Sequence, residues 1–250
     1  KLSVQRLSSG YRINSSSDDA AGLARADQLK SQSRMIQASM RNINDGVSTM
    51  EIADKAAEQI TGIITRMGEL AASAAQGTLD TNTRDYYKNE YDKLASEIDR
   101  IANTTEFGGY KILNGSISSL TMFIGFKNTA NDQLSVSLNA LTTINSLGLT
   151  AGVLTSVTGA LSALDAVSAA LKSVNDARAI FGASANRLST SLSNLQVTFT
   201  NFQGAESRIR DADFAYETSV YTRNQIMVQA GTSVLAQANT LPQQALTLLR

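Results

Sequence analysis

Few side chains in this 250-residue sequence could do chemistry at a reacting centre. The chain has no His and no Cys. The common zinc sites need those ligands and are excluded. So are Ser-His-Asp and Cys-His relays, and so is the His-Glu-x-x-His arrangement of a metalloprotease. Carboxylates remain. The adjacent pair Asp18-Asp19 could in principle move protons. It ends the run Ser15-Ser16-Ser17-Asp18-Asp19, directly before a helical pattern, where such side chains serve as N-caps. The expectation is a protein that is not an enzyme, with no catalytic residue, no metal and no cofactor.

Binding chemistry is equally sparse. Lys1, Arg6 and Arg12 could touch phosphates, but Lys plus Arg number 22 and Asp plus Glu number 22. That balance predicts no nucleic-acid partner and no anionic membrane partner. A neutral chain does not repel copies of itself, which suits self-association. Without Cys the redox compartment is undetermined. No apolar run of about 18 residues suggests a membrane span, and Lys1-Leu2-Ser3-Val4-Gln5-Arg6 lacks the apolar centre of a secretory signal. Ser and Thr at 135–158 could accept O-linked sugars, though they read equally as plain loop polarity.

The elements that would position any functional surface are helices. The longest stretch runs from Ala160 to Phe202. Its core-type positions are Ala160, Leu164, Val167, Leu171, Val174, Arg178, Phe181, Ala185, Leu188, Leu192, Leu195, Phe199 and Phe202, with Arg178 as a polar break. Steps of four and three predict a long helix with a coiled-coil-like seam. At about 1.5 Å per residue it would be roughly 65 Å long. One apolar stripe does not offset the entropy of ordering such a helix, so partner helices of similar length are required.

Two partners are visible. From about Asp18 to Gln76, Ile43, Val47, Met50, Ala53, Ala57, Ile60, Ile64, Met67 and Ala71 recur at three and four. Gly77 to Thr83 breaks this pattern. A second helix is expected from about Arg84 to Asn103, with Tyr87, Tyr91, Leu94, Ile98 and Ile101 on one face. Residues 104–116 read as a turn region. Then Leu120, Met122, Ile124 and Phe126, followed by Leu134, Val136 and Leu138, alternate with period two, which predicts a small β-hairpin. Residues 139–159 read as loop or further small β elements. Gly10 is expected to break the chain ahead of the first long helix, and Gln203-Gly204 to bend it after the last seam residue. The fold class predicted is mainly α, with long antiparallel helices forming a coiled-coil-like rod and a small β-hairpin region.

The tail is unusual. From Asn224 to Leu249 no residue is charged. One stripe holds Met227, Ala230, Val234, Ala238, Leu241, Ala245 and Leu248, and a second holds Val228, Leu235, Leu246 and Leu249. A solvent-facing helix would carry Lys and Glu on its outer face. A membrane span would not readily hold Gln225, Gln229, Gln237, Gln243 and Gln244. A helix packed among protein helices fits best, and copies of the chain are the natural neighbours. Met227, Val234, Leu235, Leu241 and Leu248 are the expected self-assembly residues.

Several segments now resemble one family. Arg6-Leu7-Ser8-Ser9-Gly10-Tyr11-Arg12-Ile13-Asn14 with Asp18-Asp19-Ala20-Ala21-Gly22, and Arg41-Asn42-Ile43-Asn44-Asp45-Gly46, are similar to the amino-terminal region of bacterial flagellin. Glu97-Ile98-Asp99-Arg100-Ile101-Ala102 with Glu106-Phe107-Gly108 looks like the next family block. Gln229-Ala230-Gly231-Thr232-Ser233-Val234-Leu235-Ala236-Gln237-Ala238-Asn239, Pro242 and Leu248-Leu249-Arg250 resemble the flagellin carboxy-terminus. The resemblance implies a subunit that polymerises into the extracellular flagellar filament for motility and is exported through the flagellum. A hook–filament junction protein is the alternative.

It further implies a connector at 1–19, an outer-core helical domain at 20–209 that includes a small β region near 117–159, and an inner-core helix at 210–250. Family members carry a further amino-terminal helical segment, so the chain is expected to start after most of it. No large outer domain is expected between the halves. The carboxy-terminal tail would bind an export chaperone. A host Toll-like receptor would contact the surface that maps onto Arg66, Glu69, Leu70 and Glu90.

Overall fold

Small residues decide how the two longest helices meet. The computed structural model describes residues 2–138, 147–150 and 152–248, with side chains described up to residue 239. Its helices are α1 (Leu2–Ser9), α2 (Ala20–Ala74), α3 (Thr81–Thr104), α4 (Val157–Arg210) and α5 (Phe214–Leu248). Short strands β1 (Glu106–Phe107), β2 (Tyr110–Lys111), β3 (Ser119–Phe123) and β4 (Gln133–Ser137) lie between α3 and α4. The predicted mainly α class with a small β-hairpin region is what is found. Two compact units are present, Met35–Val197 and the combination of Lys1–Arg34 with Thr198–Arg250.

In the 35–197 unit the α2 seam consists of Ile36, Ser39, Ile43, Gly46, Met50, Ala53, Ala57, Ile60, Ile64, Met67, Ala71 and Ala74, all buried at steps of three and four. Val47, expected in that seam, is only half-buried, and Gly46 takes its place. The α4 seam is Ala160, Ala163, Val167, Ala170, Val174, Ala177, Phe181, Ser184, Leu188 and Leu195. This corrects the expected stripe. Ala160, Val167, Val174, Phe181, Leu188 and Leu195 hold, but Leu164, Leu171, Arg178 and Ala185 give way to the residues one earlier, and the expected Leu192, Phe199 and Phe202 are only half-buried. A 3.5-residue period admits a four-three or a three-four phase. Ala163, Ala170, Ala177 and Ser184 are small enough to let the neighbouring backbone close in. Leu164, Leu171 and Ala185 flank the seam half-buried.

Arg178 is therefore no break in the core. It stands beside the seam and donates from Nε to Asp54 Oδ1 at 2.8 Å. Together with the close approaches of Gly46 to Leu188 and of Gly68 to Val167, this pairing sets α2 and α4 antiparallel. By length and composition α4 could cross a membrane, its best window reaching a mean hydropathy of 1.2. Run length did not register it, because Ser, Asp165 and Lys172 interrupt the apolar runs.

The link between α2 and α3 is closed by side chains. Arg84 donates from Nε to the Ala74 carbonyl at 3.1 Å, which satisfies a carbonyl orphaned at the end of α2, and from Nη2 to the Gln76 carbonyl at 2.9 Å in the loop that follows. Asp80 caps α3 by accepting from the Thr83 N–H, and hydrogen bonds from Thr83 hold its carboxyl below the usual range. Tyr91, Ala95, Ile98, Ile101 and Ala102 are buried, while Tyr87 and Leu94 are half-buried.

The expected turn region at 104–116 contains a further hairpin, with Glu106 opposite Lys111 and Phe107 opposite Tyr110. Gly108 and Gly109 turn it with φ of 59° and 83°, the backbone a two-residue turn of this hand requires. The expected hairpin near 120–138 is present with shorter strands, pairing Leu120 with Val136 and Met122 with Leu134. Ile124 to Phe126 fall in its loop, which Asp132 ties to the Ile124 N–H at 2.8 Å. Of the expected 139–159 loop, 139–146 and 151 lie outside the described residues. Val153–Thr155 forms a 3-10 turn, and the Gly152 N–H donates to Asp92 Oδ1 at 2.8 Å.

The second unit has its own closure. Gly10, with φ of 76°, ends α1. The chain then pairs Tyr11 with Asp211, the Arg12 N–H donates to the Arg210 carbonyl at 2.7 Å, and the Ala212 N–H donates to the Gly10 carbonyl at 2.9 Å. Asp18 accepts from the backbone N–H of Ser15 and Asn14, and these bonds lower its pKa. Asp19 caps the start of α2 through the Gly22 N–H at 2.8 Å. The carboxylate pair is thus wholly engaged in capping and turn formation. The bend expected at Gln203-Gly204 does not occur, since α4 continues to Arg210.

Candidate functional site

The tail predicted to associate forms α5. Its first turn is well defined. Asp213 accepts from the N–H groups of Ala215 at 2.9 Å and Tyr216 at 3.1 Å, and Glu217 places negative charge near the positive end of the helix dipole. Glu217 is only 4% exposed and accepts from Arg6 Nη1 of α1 at 2.8 Å. A buried carboxylate needs such a partner, so this pair fixes α1 on α5. Nearby, the Arg210 guanidinium lies 4.5 Å from the Tyr11 ring centroid and 3.4 Å from Asp27.

Beyond this anchor α5 is bare. Every residue from 221 to 239 is exposed. Met227 is 61% exposed, Val234 65% and Leu235 64%. Leu241 and Leu248 lie beyond the described side chains. Ile226 and Val228 are also exposed, and Phe214 and Tyr216 add apolar area at the start of the helix. Those two aromatics were missed in the sequence because charged residues at 206–223 masked them. A helical run that is apolar and uncharged from Asn224 onward is not held up by its own propensity and needs packing. The geometry leaves an exposed apolar face along this helix. Among the described residues no group of His, Cys, Asp and Glu could hold a metal ion.

The second predicted surface lies on α2 and α3. Arg66 Nη1 donates to Glu69 Oε2 at 2.9 Å. Its Nε and Nη2 donate to Glu90 Oε1 at 3.0 and 2.9 Å. The hydrogen bond to Glu69, then the hydrogen bond and charge of Glu90, raise the Arg66 pKa. These three side chains are exposed. Leu70 does not join them. It is 3% exposed and points into the core, because its position falls beside the α2 seam residues Met67 and Ala71. The predicted set thus divides into an exposed ion-pair cluster and one core residue beneath it.

Comparison with known proteins gives the family. The bacterial flagellin N-terminal helical region matches residues 1–118, and the bacterial flagellin C-terminal helical region matches residues 164–249. The chain is 38% identical over 247 residues to a flagellin of Halalkalibacterium halodurans, covering 99% of this chain and 90% of that protein. It is 36% identical over 260 residues to the flagellar filament 33 kDa core protein of Treponema phagedenis, covering 99% and 91%. A solved structure, the flagellin of Bacillus cereus, is similar with a TM-score of 0.54 and 30% identity over 62% of this chain and 88% of that one. With both terminal regions matched and this identity running through nearly all of its length, the chain belongs to the bacterial flagellin family.

Proposed function

We propose that the chain is a structural subunit of the bacterial flagellar filament and that α5 is held there by other copies of the chain. The observation that carries this is the bare, uncharged run at 224–239, with Met227, Val234 and Leu235 facing solvent. Leu241 and Leu248 continue the same stripe in sequence. The division into a connector at 1–19, an outer-core domain at 20–209 and an inner-core helix at 210–250 belongs to this reading. So does a location in the extracellular filament, reached by export through the flagellum. The relatives named above are flagellins, which favours the filament over the hook–filament junction. Growth of filaments from seeded monomer, alone or extended by a full amino-terminal flagellin segment, tests the proposal, and absence of growth in both forms overturns it.

Two partners follow from the same reading. An apolar helix must be shielded before assembly, and an export chaperone on the carboxy-terminal tail would do this. Deleting 224–250 abolishes chaperone binding if so; retained binding refutes it. The host Toll-like receptor surface would consist of Arg66, Glu69 and Glu90, with Leu70 supporting their backbone from below. Arg66→Ala then loses signalling in a receptor reporter assay, and unchanged signalling removes the proposal.

A further inference from the structure

The sequence holds a single Asn–Gly step, Asn114-Gly115. It lies in the turn region between β2 and β3, outside every helix and strand. Gly115 and Ser116 are exposed and Asn114 is half-buried. The Ser116 N–H donates to Asn114 Oδ1 at 2.9 Å. This is an Asx turn, in which the carboxamide folds back along its own main chain. Gly115, with φ of 73°, has no side chain to shield its peptide nitrogen.

We propose that Asn114 is a site of spontaneous self-modification, converting to aspartyl and isoaspartyl residues through a cyclic imide. Solvent base removes the proton from the Gly115 nitrogen, which attacks Asn114 Cγ. The new N–Cγ bond leaves negative charge on Oδ1, where the Ser116 N–H already donates, so the donor is in place for the charge that develops. The Cγ–Nδ2 bond then breaks and Nδ2 departs as ammonia, taking up a proton. Water opens the five-membered imide. Breaking the bond from the Gly115 nitrogen to Cγ gives Asp. Breaking the bond from that nitrogen to the Asn114 main-chain carbonyl carbon gives isoaspartate, whose chain runs through Cβ. No oxidant or reductant is involved.

A second step in the sequence shows why position matters. Asp45-Gly46 could form the same imide, but both residues sit inside α2. There the Gly46 N–H belongs to the helical ladder, and Gly46 is buried. The turn at 114–116 has neither protection. Its modification puts a carboxylate next to Leu113, which is fully buried. Isoaspartate also adds a methylene to the main chain one residue from that core side chain.

The test incubates the full folded chain in mildly alkaline buffer, alongside the free peptide 112–127. Peptide mapping by mass spectrometry reads replacement of NH2 by OH at each Asn, and chromatography separates the aspartyl and isoaspartyl products. The expected result is conversion of Asn114 in the folded chain at least as fast as in the peptide, with a rate that rises with pH. Asn103 and Asn128 should react at least several-fold more slowly. The proposal is overturned if folded Asn114 stays intact while the peptide converts, if neither converts, or if Asn114 reacts no faster than the other two.

Discussion

Gly46 and Gly62 lie on the same helix, and the substitution Gly→Ala should act in opposite directions at the two. In a helix interior Ala is favoured over Gly by about 0.8–1.0 kcal/mol. A Cβ on Gly62 meets nothing within 4 Å, so Gly62→Ala should realise most of that gain, roughly 0.5–1 kcal/mol. A Cβ on Gly46 would overlap the Met122 sulfur and stand 3.2 Å from Leu188 Cδ1. Leu188 is fully buried and cannot retreat. Met122 is adaptable but must leave its place between β3 and α2. Overpacking of this kind costs about 1–3 kcal/mol, which exceeds the propensity gain. Gly46→Ala should therefore destabilise the protein by about 1–2 kcal/mol. Adding Met122→Ala, which makes room, should recover the Gly46→Ala penalty within a double-mutant cycle. Urea unfolding followed by circular dichroism measures the four proteins of that cycle and Gly62→Ala. If Gly46→Ala is as stabilising as Gly62→Ala, the close approach of the hairpin to α2 is not what sets the packing there.

Three further substitutions test single side chains. The Tyr91 hydroxyl is buried without a hydrogen-bond partner among the described residues, so Tyr91→Phe should stabilise the protein by about 1 kcal/mol at neutral pH. Burial pushes the Tyr91 pKa from 10.0 up to about 12. Between those values the unfolded chain releases the phenol proton and the folded one keeps it, so stability falls as pH rises through that window. Tyr91→Phe should abolish this share of the alkaline loss, and identical pH profiles for both proteins would refute it. Beside the α4 seam, Arg178→Ala should cost at most about 1 kcal/mol, since its ion pair with Asp54 is partly solvated. Ala177→Leu should cost about 1–3 kcal/mol or more; the reverse order in urea unfolding would restore the register expected from side-chain size.

The long helices were legible because apolar residues repeat at three and four over many turns. Their register was legible only in part. Leu164 and Leu171 outweigh Ala163 and Ala170 when residues are ranked by hydrophobicity. Close packing of two backbones instead selects the smaller side chain. Gly46 was passed over for Val47 for the same reason, since the hairpin that needs the space lies far along the chain. The β3–β4 pairing followed from strict alternation, whereas β1–β2 is too short to show a period and was marked only by Gly108-Gly109. The exposed face of α5 was the clearest functional signal, because absence of charge over a long helix is visible residue by residue. The Arg6–Glu217 anchor was not, since no local pattern links residues so far apart in sequence. For the Arg66 cluster, the family resemblance named four residues together, but only the α2 seam phase shows that Leu70 faces inward.

The most direct test of the filament reading is seeded polymerisation of the protein and of the double variant Val234→Asp and Leu235→Asp. Each is assayed alone and extended by a full amino-terminal flagellin segment, with growth from short filament fragments scored by negative-stain microscopy. Both substituted side chains are exposed in the monomer, so the variant should fold with unchanged circular dichroism. The account predicts that the unsubstituted sequence elongates the seeds in at least one of its two forms and that the variant does so in neither. Elongation by the variant at an undiminished rate, or no growth from the unsubstituted sequence in either form, would contradict it.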